Sequence, residues 1–251
     1  MNHRLSDRER AILTLIAEQE NVTVSHMSRL LNVSPVTVRN DLNSLADKGY
    51  IVRTWGGAFP AFVPEVLERQ RSMTEEKNRI AKAAAEFIQD GDTIMIEAGT
   101  TTALIAKYLF GKRDISIVTN STLVLPYARA NPSIHLTVVG GQFRPATESF
   151  VGPIALRELE QFHVKLAFVG TDGFDFATGL TTHLVEGAEI VKKMAAQAER
   201  TILTADSKKY GRAGFVRVLS LDALDTILTD NGIDEEFLGR CAERGLDIRT
   251  V

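Results

Sequence analysis

The sequence predicts an α/β protein in two parts, an N-terminal winged helix-turn-helix followed by a larger, mainly parallel α/β domain. Three observations carry that expectation. A helix opening on Ser34-Pro35 follows a shorter helix after a tight turn, and a strand-prone run then ends in Gly56-Gly57. From Thr74 onward, short apolar runs alternate with helical stretches, as in a parallel sheet covered on both faces. At 251 residues the chain has room for a small module of about 60 residues and a second, larger core. The expected division is 1–58 for the winged helix-turn-helix, 59–73 for a linker and 74–251 for the α/β domain.

Ser6 to Glu20 opens with Ser followed three residues later by Glu, the capping-box pattern, and carries Ala11, Ile12, Leu15 and Ile16 on one stripe. It is assigned no base contact. Ser25 to Leu31 is a short helix with Met27, Leu30 and Leu31 at helical spacing, stopped by Asn32. Ser34 then serves as N-cap, and Pro35 suits the first helical position, where no N–H is needed. In this second helix Val38, Leu42 and Leu45 fix the buried face. Val36, Asn40 and Asn43 lie farthest from it, with Thr37, Arg39 and Ser44 on the flanks. Arg can hold guanine, Asn can hold adenine, and Thr can meet a thymine methyl or a phosphate, so this face suits a major groove. The run Tyr50 to Trp55 and the Gly56-Gly57 turn form the wing, from which Arg53 can reach a phosphate or the minor groove. The DNA-contacting set is Ser34, Pro35, Thr37, Arg39, Asn40, Asn43 and Arg53.

Phe59 to Met73, with Pro60 and Pro64, reads either as a semi-rigid spacer or as a transmitter of a ligand signal. Thr74 then caps a helix with Ile80, Ala84, Phe87 and Ile88 on one side, ended at Gly91. Strands are expected at 93–96, 115–119, 134–139, 166–169, 201–204, 226–229 and 247–250, with helices at 102–110, 122–130, 154–162, 187–199 and 235–244.

The formal net charge is −3, and residues 1–60 hold seven Arg/Lys against six Asp/Glu. DNA recognition must therefore rest on a few placed contacts, doubled in a homodimer or homotetramer, rather than on a broad positive field. Cys241 is the one cysteine, so no intrachain disulfide forms. With no leader pattern and no long apolar run, the expectation is a cytoplasmic protein with no membrane partner. His135, His163 and His183 share no ligand spacing, so neither a metal nor another cofactor is expected.

In a parallel sheet, ligands bind on the loops beyond the carboxyl ends of the strands. Gly99, Thr100, Thr101 and Thr102 follow the first strand and open a helix, where N–H groups, hydroxyls and the helix dipole converge on an anion; Thr100 to Thr102 also fit a plain helix cap. Asn120 and Ser121 end the second strand, Gly140 and Gly141 the third, Asp172 and Gly173 follow the fourth, and Lys208 the fifth. Donors for a phosphate, a carboxylate for sugar hydroxyls and a cation are thus all available. Glu186 either bonds a sugar hydroxyl or favours its helix dipole, and His183, on the loop after Thr181-Thr182, either touches the ligand or, the reading preferred, is an exposed loop residue. Neither a Walker loop nor G-x-G-x-x-G is present, which argues against a nucleotide.

The segments V-S-P-V-T-V-R-N-D-L-N-S-L and G-Y-I-V-R-T-W-G-G-A resemble the N-terminal signature of DeoR/GlpR-type bacterial transcriptional repressors. E-E-K-N-R-I-A, E-A-G-T-T-T, I-V-T-N-S, V-V-G-G-Q-F-R, F-V-G-T-D-G-F-D, G-L-T-T and A-D-S-K-K-Y-G-R extend the resemblance over nearly the whole chain, to the sensor domain of the hexitol and amino-sugar subgroup. What the resemblance implies is a sensor fold similar to ribose-5-phosphate isomerase and the CoA transferases, and a phosphorylated sugar as inducer. It also implies Gly99 to Thr102 at the phosphate, with Asp172 and Lys208 lining the pocket. The leading expectation is a repressor of a sugar-utilisation operon that binds double-stranded operator DNA and is not an enzyme. The competing ones are an active sugar-phosphate isomerase fused to a DNA-binding module, and a scaffold that does not touch DNA.

Overall fold

The computed structural model describes residues 5–18, 22–48, 50–54, 57–60 and 64–251, the side chains of 17–18, 52–54, 57–60, 64–65 and 67 excepted. The chain divides into two compact units, Met1–Glu68 and Arg69–Val251.

In the first unit, α1 (Asp7–Glu18) begins with a reciprocal capping box: the Ser6 N–H donates to Glu9 Oε2 at 2.7 Å and the Glu9 N–H to Ser6 Oγ at 3.1 Å. The next helix, α2 (Val24–Leu30), starts one residue earlier than expected because Thr23 is its cap, accepting from the His26 N–H. Asn32 takes the left-handed conformation, φ 52°, that turns the chain into α3 (Pro35–Asp47), capped by Ser34. Ile12, Ile16, Met27, Val38, Leu42 and Leu45 close one core with Ile51 of the first strand. That strand, β1 (Ile51–Thr54), pairs antiparallel with β2 (Gly57–Pro60), setting Arg53 opposite Ala58. Two polar clamps tie α1 to α3: Arg8 grips Asp41 at 2.6 and 2.9 Å, and Glu9 accepts from Ser44 and Lys48. Trp55 and Gly56 of the expected wing, and the Arg53 side chain, lie outside the described residues.

The stretch expected to be a linker contains a helix, α4 (Pro64–Arg71), with Pro64 at its first position. The following α5 (Thr74–Glu86) departs from expectation at its start. Its cap residue is Met73, at φ 53° with no side-chain bond, while the Thr74 hydroxyl points back to the Gln70 and Arg71 carbonyls.

The second unit is built on strands β3 (Thr93–Ile96), β4 (Ile115–Thr119) and β5 (Ile134–Val138). A helix, α6 (Leu125–Ala130), lies between the last two. A hairpin of β6 (Gln142–Arg144) and β7 (Ser149–Val151) precedes α7 (Pro153–Leu159) and β8 (Val164–Val169). Then come β9 (Gly173–Asp175), β10 (Gly179–Thr182), α8 (Val185–Ala196) and β11 (Ala198–Thr204). The chain finishes with β12 (Val216–Arg217), β13 (Thr226–Thr229), α9 (Glu235–Glu243) and β14 (Asp247–Thr250).

Seven of these strands form one parallel sheet in the order β14-β13-β11-β8-β3-β4-β5. Alternate side chains go to opposite faces. Ile94 and Ile96 pack with Ile80 and Ala84 of α5, whereas Met95 packs with Leu159 of α7 and Ile190 of α8. Cys241 of α9 is buried beside Phe237, where burial pushes its thiol up to about 11.

Three expectations need correction. The helix at 102–110 is a 3-10 helix, Thr102–Leu109; with three residues per turn, Thr102 and Ile105 form one buried row, and Ala103, Ala106 and Leu109 a second beside it. The helix expected at 187–199 stops at Ala196, and its last residues join β11. The antiparallel pieces β6-β7 and β9-β10-β12 were not expected at all.

Candidate functional site

On α3, Ser34, Pro35, Arg39, Asn40 and Asn43 are exposed and Thr37 is half-buried. The structure therefore presents six of the seven predicted DNA-contacting residues on one capped helix and its N-terminus. Ser34 Oγ accepts the Thr37 N–H and lies 2.9 Å from the Thr37 hydroxyl, so both are committed first to starting the helix. Val36, an apolar residue at the start of this helix, is 61% exposed. Ser44 turns inward and donates to Glu9.

The parallel sheet reverses its direction of growth between β3 and β8. From β3 the chain steps outward through β4 and β5; from β8 it steps the other way through β11, β13 and β14. Loops leaving the two strands part, and a crevice opens beyond their carboxyl ends. A cleft lies there, lined by Glu97 to Thr102, Asn120, Gly170 to Asp172, Ala205, Asp206 and Lys209, with Arg69 and Lys77 from the α4–α5 corner.

Glu97 is the floor of this cleft. Its Oε2 accepts the Gly170 N–H at 3.1 Å across the β3–β8 boundary. Burial, reinforced by the nearby Asp172 charge, pushes its carboxyl up to about 8, so it is mostly protonated at neutral pH. Asp172 differs: burial works against its charge, but the His183 N–H at 3.0 Å and the Thr182 hydroxyl at 2.9 Å outweigh it and hold the carboxyl below its usual value. Burial pulls the Lys77 ammonium down from its usual value. With Glu97 neutral, the cations Arg69, Lys77 and Lys209 outnumber the carboxylates Asp172 and Asp206 at the cleft wall.

Among the described residues, the N–H groups of Gly99, Thr100 and Thr101 meet no acceptor. The Thr102 hydroxyl donates to the Gly99 carbonyl at 3.1 Å, and a Cβ on Gly99 would sit 2.8 Å from that hydroxyl oxygen, so only glycine lets the loop close this tightly. Asn120 accepts the Ala98 N–H and donates to Phe150, fixing the loop's other side.

The cleft thus gathers Gly99, Thr100, Thr101, Thr102, Asn120 and Asp172 of the predicted effector set. The remaining six lie elsewhere. Ser121 is fully buried and caps the next turn. The Gly140 N–H donates to Glu158, and Gly141 packs against β7. Gly173 is in β9, where a Cβ would lie 2.1 Å from the Arg212 carbonyl oxygen. Glu186 pairs with Arg144. Lys208 is replaced at the cleft by its neighbour Lys209, because the 3-10 turn at Ser207–Lys209 rotates that side chain inward. Four further residues line the cleft: Glu97 and Asp206, which stand on the strand-end loops in E-A-G-T-T-T and A-D-S-K-K-Y-G-R, and Arg69 and Lys77, which come from outside those loops and were not expected there.

Among the described residues no group of His, Cys, Asp or Glu could hold a metal ion, and no helix is long and apolar enough to cross a membrane. A winged helix-turn-helix with an exposed polar helix, in one chain with an α/β unit carrying a polar cleft, defines a DNA-binding transcriptional regulator. The chain belongs to the DeoR family: residues 8–60 match the DeoR-like helix-turn-helix domain, and residues 72–231 match the DeoR C terminal sensor domain. It is 34% identical to the HTH-type transcriptional regulator GlpR of Haloferax volcanii, over 92% of this chain and 92% of that protein. It is also 34% identical to the HTH-type transcriptional repressor CsqR of Escherichia coli (strain K12), over 89% of this chain and 87% of that protein. Among solved structures, a D-ribose-5-phosphate isomerase in complex with phospho-erythronic acid aligns over 55% of this chain and 54% of that chain, at 23% identity and a TM-score of 0.41.

Proposed function

We propose that this chain represses a sugar-utilisation operon and leaves its operator when a phosphorylated sugar binds the cleft beyond β3 and β8. In this reading residues 1–58 read DNA, 59–73 connect, and 74–251 sense. The observation that carries it is the meeting of open N–H groups at Gly99 to Thr101 with Lys77, Lys209 and Arg69, opposite a neutral Glu97 and a charged Asp172. The first group suits a phosphate dianion, while the carboxyl pair suits hydroxyls that donate and accept. Homodimers or homotetramers would place two α3 helices on half-sites about one DNA turn, 10 base pairs, or a multiple of it apart.

The test is operator binding titrated with hexose and amino-sugar 6-phosphates, after a thermal-shift screen has shown which of them raises stability. Thr101→Val keeps shape and removes a cleft hydroxyl; ligand affinity should fall by about 1–3 kcal/mol, and the variant should stay on the operator at ligand concentrations that release the parent. Normal release of this variant, or no stabilisation by any phosphorylated sugar, counts against the reading. On the DNA side, Arg39→Ala and Asn40→Ala should each cost about 1–3 kcal/mol of specific binding with non-specific binding kept. Unchanged discrimination between operator and unrelated DNA would remove α3 as the reader.

A further inference from the structure

The first turn of α5 places Lys77 between the end of α4 and the cleft. The residue is 5% exposed and its ammonium donates to the Arg69 carbonyl, in the last turn of α4. The last four carbonyls of any helix have no partner within it. Here the Arg69 carbonyl is served by Lys77, and those of Gln70 and Arg71 by the Thr74 hydroxyl. The left-handed Met73 makes this possible by folding α5 back on the end of α4. The same Lys77 side chain lines the cleft with Gly99 to Thr101 and Lys209.

Arg69 repeats the arrangement. It lines the cleft, and its guanidinium donates to the Ala146 carbonyl at 2.8 Å, between β6 and β7. Lys77 and Arg69 each donate to a backbone carbonyl, and an anion in the cleft would add a coulombic attraction that a neutral carbonyl lacks. The division between the two compact units falls within α4, between Glu68 and Arg69.

We propose that Lys77 is an effector-binding residue shared between the cleft and the end of α4, and that a phosphate in the cleft draws its ammonium off the Arg69 carbonyl and loosens the last turn of α4. The inference rests on the sugar-phosphate reading above. It adds the atom through which occupancy reaches the helix that leads into the sensor unit. Burial pulls the Lys77 ammonium down from its usual value, while the Asp206 charge favours the charged form and Lys209 and Arg69 oppose it.

The experiment is amide hydrogen exchange on the full-length chain, following the peptide that covers 64–73, with inorganic phosphate and then fructose 6-phosphate as probes and operator-bound chain as a second state. Binding of either probe should speed exchange in this peptide severalfold. Lys77→Met should show the faster exchange without any probe, bind the probe at least tenfold more weakly, and give no further change on adding it. Thr74→Val removes a hydroxyl from the α4 end without touching the cleft, so it should speed exchange while leaving probe affinity within about twofold. A probe that binds while the 64–73 peptide exchanges at its former rate, or more slowly, overturns the inference and leaves the sugar-phosphate reading intact. Failure of both probes, and of the wider sugar-phosphate series, to bind overturns both.

Discussion

The first unit and the sensor unit each bury a glutamate at a junction of elements, and they treat it in opposite ways. Glu9 accepts from the Ser6 N–H, the Ser44 hydroxyl and the Lys48 ammonium, and the Lys48 bond above all takes its carboxyl down to about 2. Glu97, at the end of β3, has the Gly170 N–H and a neighbouring Asp172, and sits at about 8. Full pairing marks a place where the fold is complete in itself. A carboxyl left underpaired beside open N–H groups marks a place arranged for something else to arrive, because burying it that way costs stability that packing alone has no reason to spend.

The comparison is broken most forcefully by separating the units. Leu42→Ala removes a fully buried side chain from the first core and should cost about 2–5 kcal/mol there. Operator binding should disappear, while the calorimetric transition of the sensor unit and its ligand affinity persist. Loss of ligand binding as well would show that the two units do not stand alone.

The two glutamates should next give pH slopes of opposite sign. For Glu97 the folded value lies above the ordinary 4.5, so the unfolded chain loses its proton first. Stability should therefore decline as pH rises from about 4.5 through about 8, by on the order of 5 kcal/mol, and Glu97→Gln should flatten that limb. For Glu9 the folded value lies below 4.5, so its contribution is present above that pH and is lost as pH falls through about 2. After solvent screening it should amount to roughly 1–2 kcal/mol, abolished by Glu9→Gln. Urea titrations at a series of pH values read both. Slopes of the same sign would collapse the contrast.

The smallest effect is expected at Glu186, which the structure places in an ion pair with half-exposed Arg144 and not at the cleft wall. Glu186→Gln should leave effector affinity nearly unchanged, as for a partly exposed pair. A tenfold loss would return it to the binding site.

Much of the fold was legible residue by residue. All seven strands of the parallel sheet were expected at or near their places, because short runs rich in β-branched residues, such as Thr226 to Thr229 and Ile115 to Thr119, favour extended backbone. Their polar extensions were not: Ala198 to Arg200 extend β11 beyond its buried part and look like the end of a helix. β9, β10 and β12 are two to four residues long and exist through pairing with partners up to several tens of residues away, such as Thr181 with Arg217. No local period announces such strands. At the site, the place of the loop Gly99 to Thr102 at the end of β3 was legible because a strand followed by Gly and hydroxyl residues before a helix leaves N–H groups open there, for an anion or for a helix cap. Lys209 was not, since a one-residue change in phase within a 3-10 turn decides which of two adjacent lysines faces inward.

By itself the sequence determined the helix-turn-helix, the seven strands of the parallel sheet and most helices between them, down to the Ser34 cap and the buried row of Val38, Leu42 and Leu45, because propensity, capping and periodicity act over a few residues. Only the tertiary structure decided that β3 lies beside β8, so that Glu97 meets a backbone N–H 73 positions away and Lys77 reaches both a helix end and a ligand cleft. Strand order is set by how the whole sheet buries its two faces at once, and no short stretch of sequence contains that sum.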